Sequence, residues 1–292
     1  MITVFSTPKP FCGLFAVIQR NAIRSWTRLY PNVEVILFGD EEGTAEVARE
    51  MGVRHEPHIE RNEFGTPLLN AMFRRAQEIA HHDWLCYSNA DIIQTQQFRV
   101  ALERARAWGR PALLVGQCWG VDIVQPLDFS SPDWGEMLSR KVQQHGKQRG
   151  REWIDYFAFP RGLCKEIPPF AVGRAGWDEW MIWKFRQSGV AVLDMSPSVV
   201  AIHQNHSYQT QAPGIQEPWP AEESARNRML AGGWRHCNNL DDATHVLQGD
   251  TIHRTHRHIL TQVKRECHKR YPILSRFLDF SRPLRHRFGI RQ

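Results

Sequence analysis

Residues 84–93 read WLCYSNADII, an apolar run that breaks into Ser88, Asn89 and Asp91 and then turns apolar again. A buried strand normally stays apolar, because an unpaired buried polar group costs about 1–3 kcal/mol and an unpaired charge costs more. The stretch therefore predicts a strand whose carboxyl end lies at a turn or a site. A helix-capping role for Asp91 is the alternative, since aspartate is a common N-cap.

Strand-like and helical patterns alternate on both sides of this stretch. In the first 124 residues the predicted strands are 2–7, 33–40, 84–88 and 112–123, and the predicted helices are 14–29, 41–52, 67–82 and 96–108. A loop-rich stretch at 125–150 is followed by strand-like pieces at 154–160, 190–196 and 199–208, with a helix at 178–187. Such alternation predicts an α/β fold with a mostly parallel central sheet flanked by helices.

Three of the predicted strands end in polar side chains, at Ser6-Thr7, at Asp40 and at 88–91. The carboxyl ends of parallel strands share one edge of a sheet, and ligands collect at that edge. The sequence therefore predicts a binding site built from these three strand ends. For Asp40, a helix N-cap is again the alternative.

Composition limits the class of protein. The chain has 292 residues, 42% hydrophobic and 23% charged, and its six cysteines are scattered without a CxxC pair. This cysteine pattern argues against a disulfide framework or a zinc knuckle and favours a reducing, cytoplasmic compartment. No stretch approaches the roughly 20 apolar residues that cross a bilayer, and the N-terminus lacks the pattern of a secretory signal.

Positive charge is concentrated in a C-terminal extension, predicted at 251–292. From Arg254 onward the chain has eleven Lys and Arg residues and only two acids, a net charge of +9, whereas the whole chain carries +6. The body is therefore slightly acidic, and nothing in it indicates nucleic-acid binding. The basic and apolar mixture of the extension fits either peripheral contact with the inner face of a membrane or docking on the acidic body. His253, His256 and His258 lack a convincing fourth zinc ligand.

Four segments together resemble the GT-A-type glycosyltransferases, which use nucleotide-diphospho-sugars, and in particular an uncharacterised bacterial and plant group of them. The segments are TVFST (3–7), YSNADI (87–92), the block 155–181 and AIHQNHSY (201–208). The resemblance covers about residues 1–250 and implies a single large domain with a Rossmann-like GT-A fold. It implies a donor-nucleotide half at 1–124 and an acceptor half at 125–250.

The resemblance also implies a divalent metal site for Mn²⁺ or Mg²⁺. The family motif Asp-x-Asp is matched by Asn89-Ala90-Asp91, so an amide replaces the first acid. Asp91 is the implied metal ligand, with His203 as a second ligand and His206 as its alternative. The loss of one carboxylate puts the affinity for metal in question, because hard divalent cations favour oxygen ligands.

For the donor, the resemblance implies nucleotide contacts at Ser6, Thr7, Asp40, Ser88, Asn89 and Asp91, with UDP preferred. The chain has neither GxGxxG nor GxxxxGK[ST], which disfavours dinucleotide and P-loop chemistry.

For catalysis, the match of WDEW to the acceptor-side helix implies Asp178 as general base of an inverting transfer, with Glu179 sharing the role or binding the acceptor. A plain interaction of both acids with the helix dipole is the alternative. Trp177 and Arg161 are the implied acceptor contacts, and Arg161 and Arg174 could also meet phosphate.

The expected function is transfer of a sugar from a nucleotide-sugar to a hydroxyl of a glycan or lipid-linked glycan, as in polysaccharide biosynthesis. Two alternatives remain open at this point. One is a nucleotidyltransferase, for which Lys9 and Gly13 offer only a poor match to the expected glycine-rich signature. The other is a non-catalytic nucleotide- or carbohydrate-binding protein, which the amide at Asn89 makes conceivable.

Overall fold

A computed structural model of the chain describes residues 1–206 and 221–257, together with 259, 261 and 263. The strands are β1 (Thr3–Ser6), β2 (Glu34–Phe38), β3 (Arg54–Glu56), β4 (Trp84–Ser88), β5 (Ile92–Ile93), β6 (Ala112–Val115), β7 (Cys118–Val121), β8 (Lys147–Gln148), β9 (Tyr156–Pro160), β10 (Ala191–Asp194), β11 (Ala201–Gln204), β12 (His245–Gln248) and β13 (Thr251–Arg254). The helices are α1 (Gly13–Trp26), α2 (Thr44–Met51), α3 (Leu69–Ile79), α4 (Gln96–Ala107), α5 (Trp134–His145), α6 (Trp177–Gln187) and α7 (Ala221–Leu230), with short 3₁₀ turns at Trp234–His236 and Leu240–Asp242.

A nine-stranded sheet forms the centre of the fold, in the order β13-β12-β10-β6-β9-β4-β1-β2-β3. Strands β1 to β4 are parallel to one another, and β6, β10 and β12 form a second parallel group. β9 joins the two groups and is antiparallel to both of its neighbours, and β13 is an antiparallel edge strand. The predicted α/β class with a mostly parallel central sheet is confirmed.

A smaller sheet, in the order β5-β11-β7-β8, lies at the end of the large one. The run 112–123, predicted as one strand, is in fact divided between the two sheets as β6 and β7. The division falls at Gly116, where an added Cβ would lie 2.3 Å from the hydroxyl of Tyr156. Only glycine lets the backbone pass Tyr156 and change sheets at this point.

Helices cover both faces of the large sheet because successive strand residues point to opposite faces. In β1, Val4 packs with α1, α2 and α4 on one face, whereas Phe5 packs with α3 and α6 on the other. The small sheet has its own apolar cover from α5, through Trp134 and Val142. The result is a three-layer arrangement with an apolar core on each face of the large sheet.

Some predicted boundaries were wrong. Residues 125–150 were predicted to be a loop, but they contain α5; Pro132 and Gly135 near its start suggested a loop. The short strand β3 was not predicted either. Pro67 lies before α3, whose N-cap is Leu68, and not in the first turn of the helix.

The large sheet runs through both of the predicted halves of the chain. Residues beyond 125 contribute β9, β10 and β12 to the same sheet as the first half, and β13 continues that sheet past residue 250. Most of the predicted C-terminal extension, including His258 and residues 264–292, lies outside the described residues. Among the helices that are described, none has the length and apolar character needed to span a membrane.

Replacing Phe73 by alanine should strongly destabilise the fold. Its fully buried ring stacks on Phe159 at 5.5 Å between centroids and contacts the edge of Phe5 at 5.0 Å. Emptying this space should lower the free energy of unfolding by about 3–5 kcal/mol, measured by chemical denaturation. The matched control is Phe64→Ala, because Phe64 is 50% exposed and its loss should change stability by no more than about 0.5 kcal/mol. Equal effects of the two changes would contradict the packing described here.

Candidate active site

The carboxyl ends of β1, β2 and β4 share one edge of the large sheet, as predicted from their polar ends. Thr7 directly follows β1, Asp40 follows β2 after Gly39, and the segment 88–91 begins at the last residue of β4. The helix-capping alternatives for the two acids were wrong. Gly43 is the N-cap of α2, and Thr95 is the N-cap of α4.

Asp91 faces two histidines delivered by the small sheet. β5 pairs antiparallel with β11 so that His203 lies opposite Ile92, the residue after Asp91. The Oδ2 of Asp91 is 2.9 Å from the Nε2 of His206 and 3.5 Å from the Nε2 of His203. The ligand atoms of these three residues all lie within 4.8 Å of one another. The structure therefore brings both histidine candidates to the predicted metal ligand.

A buried glutamine fixes the backbone beneath this cluster. Gln204 is fully buried and donates its side-chain amide to the carbonyls of Ile18, at 2.7 Å, and Asp91, at 3.0 Å. Its oxygen accepts a hydrogen bond from Asn21 at 3.0 Å. These contacts tie α1, the end of β4 and β11 together, so the positions of Asp91 and the histidines are fixed by the core.

The electrostatics of the cluster suit a cation. Burial raises the pKa of Asp91, but His203 and His206 outweigh that effect and hold its pKa at about 2. The second oxygen of Asp91, Oδ1, is buried and has no hydrogen-bond partner among the described residues, and the same holds for Nδ1 of His203. One carboxylate and two imidazoles are ligands that Mn²⁺ and related divalent ions accept. The residues present fit the implied metal.

A second carboxylate at this edge, Asp155, was missed by the sequence analysis. It directly precedes β9 and is 8% exposed. Its Oδ1 accepts a hydrogen bond from the Nδ2 of Asn89 at 2.9 Å, while the Oδ1 of Asn89 accepts one from the Tyr87 hydroxyl at 2.9 Å. The signal in the sequence was a carboxylate at the start of the apolar run IDYFAFP, the same pattern in reverse as the end of WLCYSNAD.

Asp178 approaches the same edge from the first turn of α6. The helix starts after Gly176, which has φ of 102°, a conformation that other residues rarely adopt. Burial raises the pKa of Asp178 to about 7, and the charges of Glu179 and Asp155 add to the effect. Asp178 also accepts hydrogen bonds from backbone N–H groups of this turn, so the alternative of an interaction with the helix dipole applies as well.

The hydroxyl of Tyr87 marks where these acids meet. Burial raises its pKa first of all, and the charges of Asp91, Asp155 and Asp178 raise it further. All three carboxylates are therefore close enough to one phenol at the sheet edge to raise its pKa.

The predicted nucleotide contacts differ in accessibility. The hydroxyls of Ser6 and Ser88 are buried and already donate to the carbonyls of Ser88 and Asn89, so both serve the framework. Thr7 is half-buried, and its Oγ1 has no partner among the described residues. Asp40 is exposed and accepts from Arg61 at 2.6 Å. Thr7 and Asp40 are thus better placed than the serines to contact a ligand.

Lys9, noted in the sequence only as a poor nucleotidyltransferase signature, lies beside the cluster. Its backbone N–H and carbonyl are both held by the side chain of Gln19. Its ammonium lies 4.5 Å from the ring centroid of Phe15, which in turn lies 5.0 Å from the ring of His206. Desolvation lowers the pKa of Lys9, with Asp91 opposing that shift and Arg174 reinforcing it. The positively charged side chain of Lys9 therefore lies near the acidic residues at this edge of the sheet.

The side chains of the two implied acceptor contacts are both engaged in the framework of the fold. Trp177 is 5% exposed, with its ring packed at 5.3 Å from Tyr87 and 5.2 Å from Phe157, so it belongs to the core. Arg161 follows β9, whose last residue pairs with Trp84 at the opposite edge of the sheet. Its guanidinium donates to the carbonyls that end α3, including those of Gln77 and Ala80. It was expected near the site because the antiparallel direction of β9 was not foreseen.

Arg174 is already engaged, with its guanidinium on the buried carboxylate of Glu223 at 2.7 Å. A cavity of about 480 Å³, lined by residues such as Arg28, Arg99 and Trp134, shares no residue with the acidic edge. The chemistry at the sheet edge, and not the cavity, therefore identifies the candidate site.

Comparison with known proteins gives similarity of fold alone. No protein-family model matches the chain, and no curated protein matches it significantly. A mannosyltransferase from Pyrobaculum calidifontis, solved with GDP-mannose and Mn²⁺, is 14% identical with a TM-score of 0.41. The match covers 69% of this chain and 56% of that protein.

Glucosyl-3-phosphoglycerate synthase from Mycobacterium tuberculosis is similar in two solved forms. The complex with Mn²⁺, UDP-glucose and phosphoglyceric acid is 16% identical, with a TM-score of 0.46 over 80% of each chain. The complex with Mg²⁺ and UDP is 15% identical, with a TM-score of 0.43 over 87% of each chain. Both proteins were solved with a nucleotide-sugar and Mn²⁺. At TM-scores below 0.5, these matches carry no inference about the donor or acceptor of this chain.

The unusual pKa of Asp178 predicts a pH-dependent effect of Asp178→Asn on stability. The folded pKa of about 7 lies above the ordinary value of 3.8, so the protonated carboxyl is favoured on folding. That stability is fully present below about pH 4 and is lost as the pH rises through 7. The melting temperature of the variant minus that of the wild type, measured without metal, should be more positive at pH 8 than at pH 5. The same difference at both pH values would contradict the assigned environment.

Proposed function

We propose that the protein is a metal-dependent glycosyltransferase that moves a sugar from a nucleotide-sugar to a hydroxyl acceptor. The observation that carries the proposal is the cluster of Asp91, His203 and His206 at the carboxyl edge of the sheet, in which the buried Oδ1 of Asp91 and Nδ1 of His203 lack partners among the described residues. Asp178 faces the same edge. A cation site beside a carboxylate of near-neutral pKa is an arrangement suited to this chemistry.

In this proposal Asp91 and the two histidines hold Mn²⁺ or Mg²⁺. When bound, the cation would neutralise the charge that develops on the diphosphate leaving group. Lys9 supplies a further positive charge next to the cluster and is placed to contact the same phosphates. Thr7 and Asp40 lie at the neighbouring strand ends, where the nucleoside would bind, and UDP is the preferred donor nucleotide.

Asp178 is the proposed general base. A carboxylate with a pKa near 7 is ionised in about half of the molecules at neutral pH and is a stronger base than an ordinary aspartate. It would accept the proton of the acceptor hydroxyl as that oxygen attacks the anomeric carbon, which gives inversion. Glu179 raises the pKa of Asp178 and is the proposed neighbour for acceptor hydroxyls.

The acceptor is proposed to be a glycan or a lipid-linked glycan. The lipid-linked form depends on the basic extension after residue 251, most of which lies outside the described residues.

Nucleotide binding is the first outcome to measure. A ligand that binds only the folded state adds about 2.7 kcal/mol of stability at a hundredfold excess over Kd. If UDP is the preferred nucleotide, UDP with Mn²⁺ should therefore raise the melting temperature more than GDP, CDP or ADP with Mn²⁺. In Asp91→Ala the Mn²⁺-dependent part of the shift should disappear. A shift of equal size without Mn²⁺, or none with any nucleotide, would contradict the proposed site.

Asp178→Asn should lower the rate of sugar transfer by a factor of at least about 100, effectively abolishing it, while leaving UDP binding intact. Product analysis separates the alternatives: sugar transfer releases UDP, nucleotidyl transfer releases pyrophosphate, and a binding protein releases neither. Full transfer activity in the Asn variant would exclude Asp178 as the base.

Lys9→Met should weaken binding of UDP but not of Mn²⁺ alone. The change removes the charge and keeps an apolar side chain over Phe15. The expected loss of UDP affinity is about 10-fold, which corresponds to one charge-assisted hydrogen bond. Calorimetry of both ligands checks this, and unchanged UDP affinity would remove Lys9 from the donor site.

A further inference from the structure

Asp155 reaches the candidate site because β9 runs against its neighbours. Strand β9 pairs antiparallel with β4, and Ser88 at the end of β4 lies opposite Tyr156 at the start of β9. The residue before β9 therefore lies beside the residue after β4. The backbone N–H of Asn89 donates to the carbonyl of Asp155 at 2.9 Å, which fixes this neighbourhood.

The side chains of Asn89 and Asp155 form a matched pair. The Nδ2 of Asn89 donates to the Oδ1 of Asp155 at 2.9 Å, and the Tyr87 hydroxyl donates to the Oδ1 of Asn89. An aspartate at position 89 would have no amide hydrogen to donate and would place two carboxylates at hydrogen-bond distance. The amide at 89 is therefore explained by the acid at 155, since the two positions together carry one negative charge.

Half of the Asp155 carboxylate has no partner. Its Oδ2 is buried and makes no hydrogen bond to any described residue. Burial raises the pKa of Asp155, opposed first by His203 and then by the Arg149 guanidinium, which donates its hydrogen bond to the side chain of Asn205 at 3.2 Å. The thiol of Cys118, a weak donor, also faces this carboxylate. A buried carboxylate left so weakly compensated is costly, and a bound cation would relieve that cost.

We propose that Asp155 supplies the second carboxylate of the cation site, the charge absent at position 89, and that Asn89 acts as its positioning residue. This inference rests on the proposed function for the existence of the cation site. Asp155 is not in the tight cluster of Asp91, His203 and His206, so it would act on the bound ion as an outer carboxylate, through a water and not as a direct ligand. Two carboxylates and two neutral imidazoles then balance the charge of a divalent cation, and an ion that retains waters suits Mg²⁺ as well as Mn²⁺.

Titration of the metal-stripped full chain with Mn²⁺ alone tests this, by calorimetry or electron paramagnetic resonance. Asp155→Asn keeps the shape of the side chain and an acceptor for the Asn89 amide but removes the charge. We expect its Mn²⁺ affinity to fall by about 10- to 100-fold, the range found for outer-shell partners of metal ligands. The matched control is Asp122→Asn, because Asp122 is an exposed acid after β7 that accepts from Asn205 at 2.9 Å. Its affinity should equal that of the wild type.

The exchanged pair, Asn89→Asp with Asp155→Asn, returns the charge from the other strand and restores an amide–carboxylate hydrogen bond. Its Mn²⁺ affinity should recover to within a few-fold of the wild type. The metal-free melting temperature of the exchanged pair should agree with that of the wild type, since both keep one buried carboxylate and the hydrogen bond between positions 89 and 155. That of Asp155→Asn should be no lower than the wild type, because the variant keeps the hydrogen bond and removes a costly buried charge.

The outcomes separate the two proposals. Wild-type affinity in Asp155→Asn, or no recovery in the exchanged pair, overturns the role of Asp155 and leaves the cation site standing. A wild-type chain that binds no Mn²⁺ overturns the cation site of the proposed function and this inference with it.

Discussion

The burial of the Asp91 carboxylate is tolerable only because two imidazoles face it. Desolvation opposes its negative charge, and His203 and His206 reverse that penalty so far that its pKa falls to about 2. Neither histidine is near Asp91 in sequence, and both come from the end of β11. The small sheet brings them there, because the pairing of β5 with β11 places the histidines next to the acid that follows β4. Gln204 shows the same constraint in the backbone, because its amide satisfies the carbonyl of Asp91 from within the core.

The crossover from the large sheet to the small one carries much of this construction. β7 pairs parallel with β11, and β11 pairs antiparallel with β5, so three separate chain segments meet next to Asp91. Gly116 permits the crossover by allowing the hydroxyl of Tyr156 to lie where a Cβ would be. A bulkier residue there would displace the start of β9, and the start of β9 is where Asp155 meets Asn89. Packing in the core and chemistry at the edge are therefore coupled through a single close approach.

Local patterns in the sequence predicted the parallel strands, most of the helices and the meeting of three polar strand ends at one edge. They did so because alternation of apolar strands and amphipathic helices depends on nearby residues. The direction of β9 depends instead on how a long connection returns to the sheet, and no local pattern encodes it. Asp155 and Arg161 flank opposite ends of β9. Because the direction of β9 was not known, Arg161 was expected at the wrong edge and Asp155 was not recognised as a site residue. The burial of Trp177 was not foreseen for a different reason, since a tryptophan at a helix start looks the same in sequence whether it packs inward on Tyr87 or faces a ligand.

The acids of this edge are chemically identical groups in unlike environments, and that difference indicates separate roles. Asp91 is held ionised by two imidazoles, whereas Asp178 is raised to a pKa of about 7 by burial and by acidic neighbours. A carboxylate that stays charged throughout the physiological range can hold a cation, and one that is half-protonated near neutrality can exchange a proton; such divergence is how paired carboxylates divide their work. The pKa of the Tyr87 hydroxyl near these acids is raised, so the hydroxyl stays protonated. It donates a hydrogen bond to the Oδ1 of Asn89. Because the phenol remains a donor, proton acceptance at this edge falls to Asp178, and the charge that a cation requires falls to the acids around Asn89.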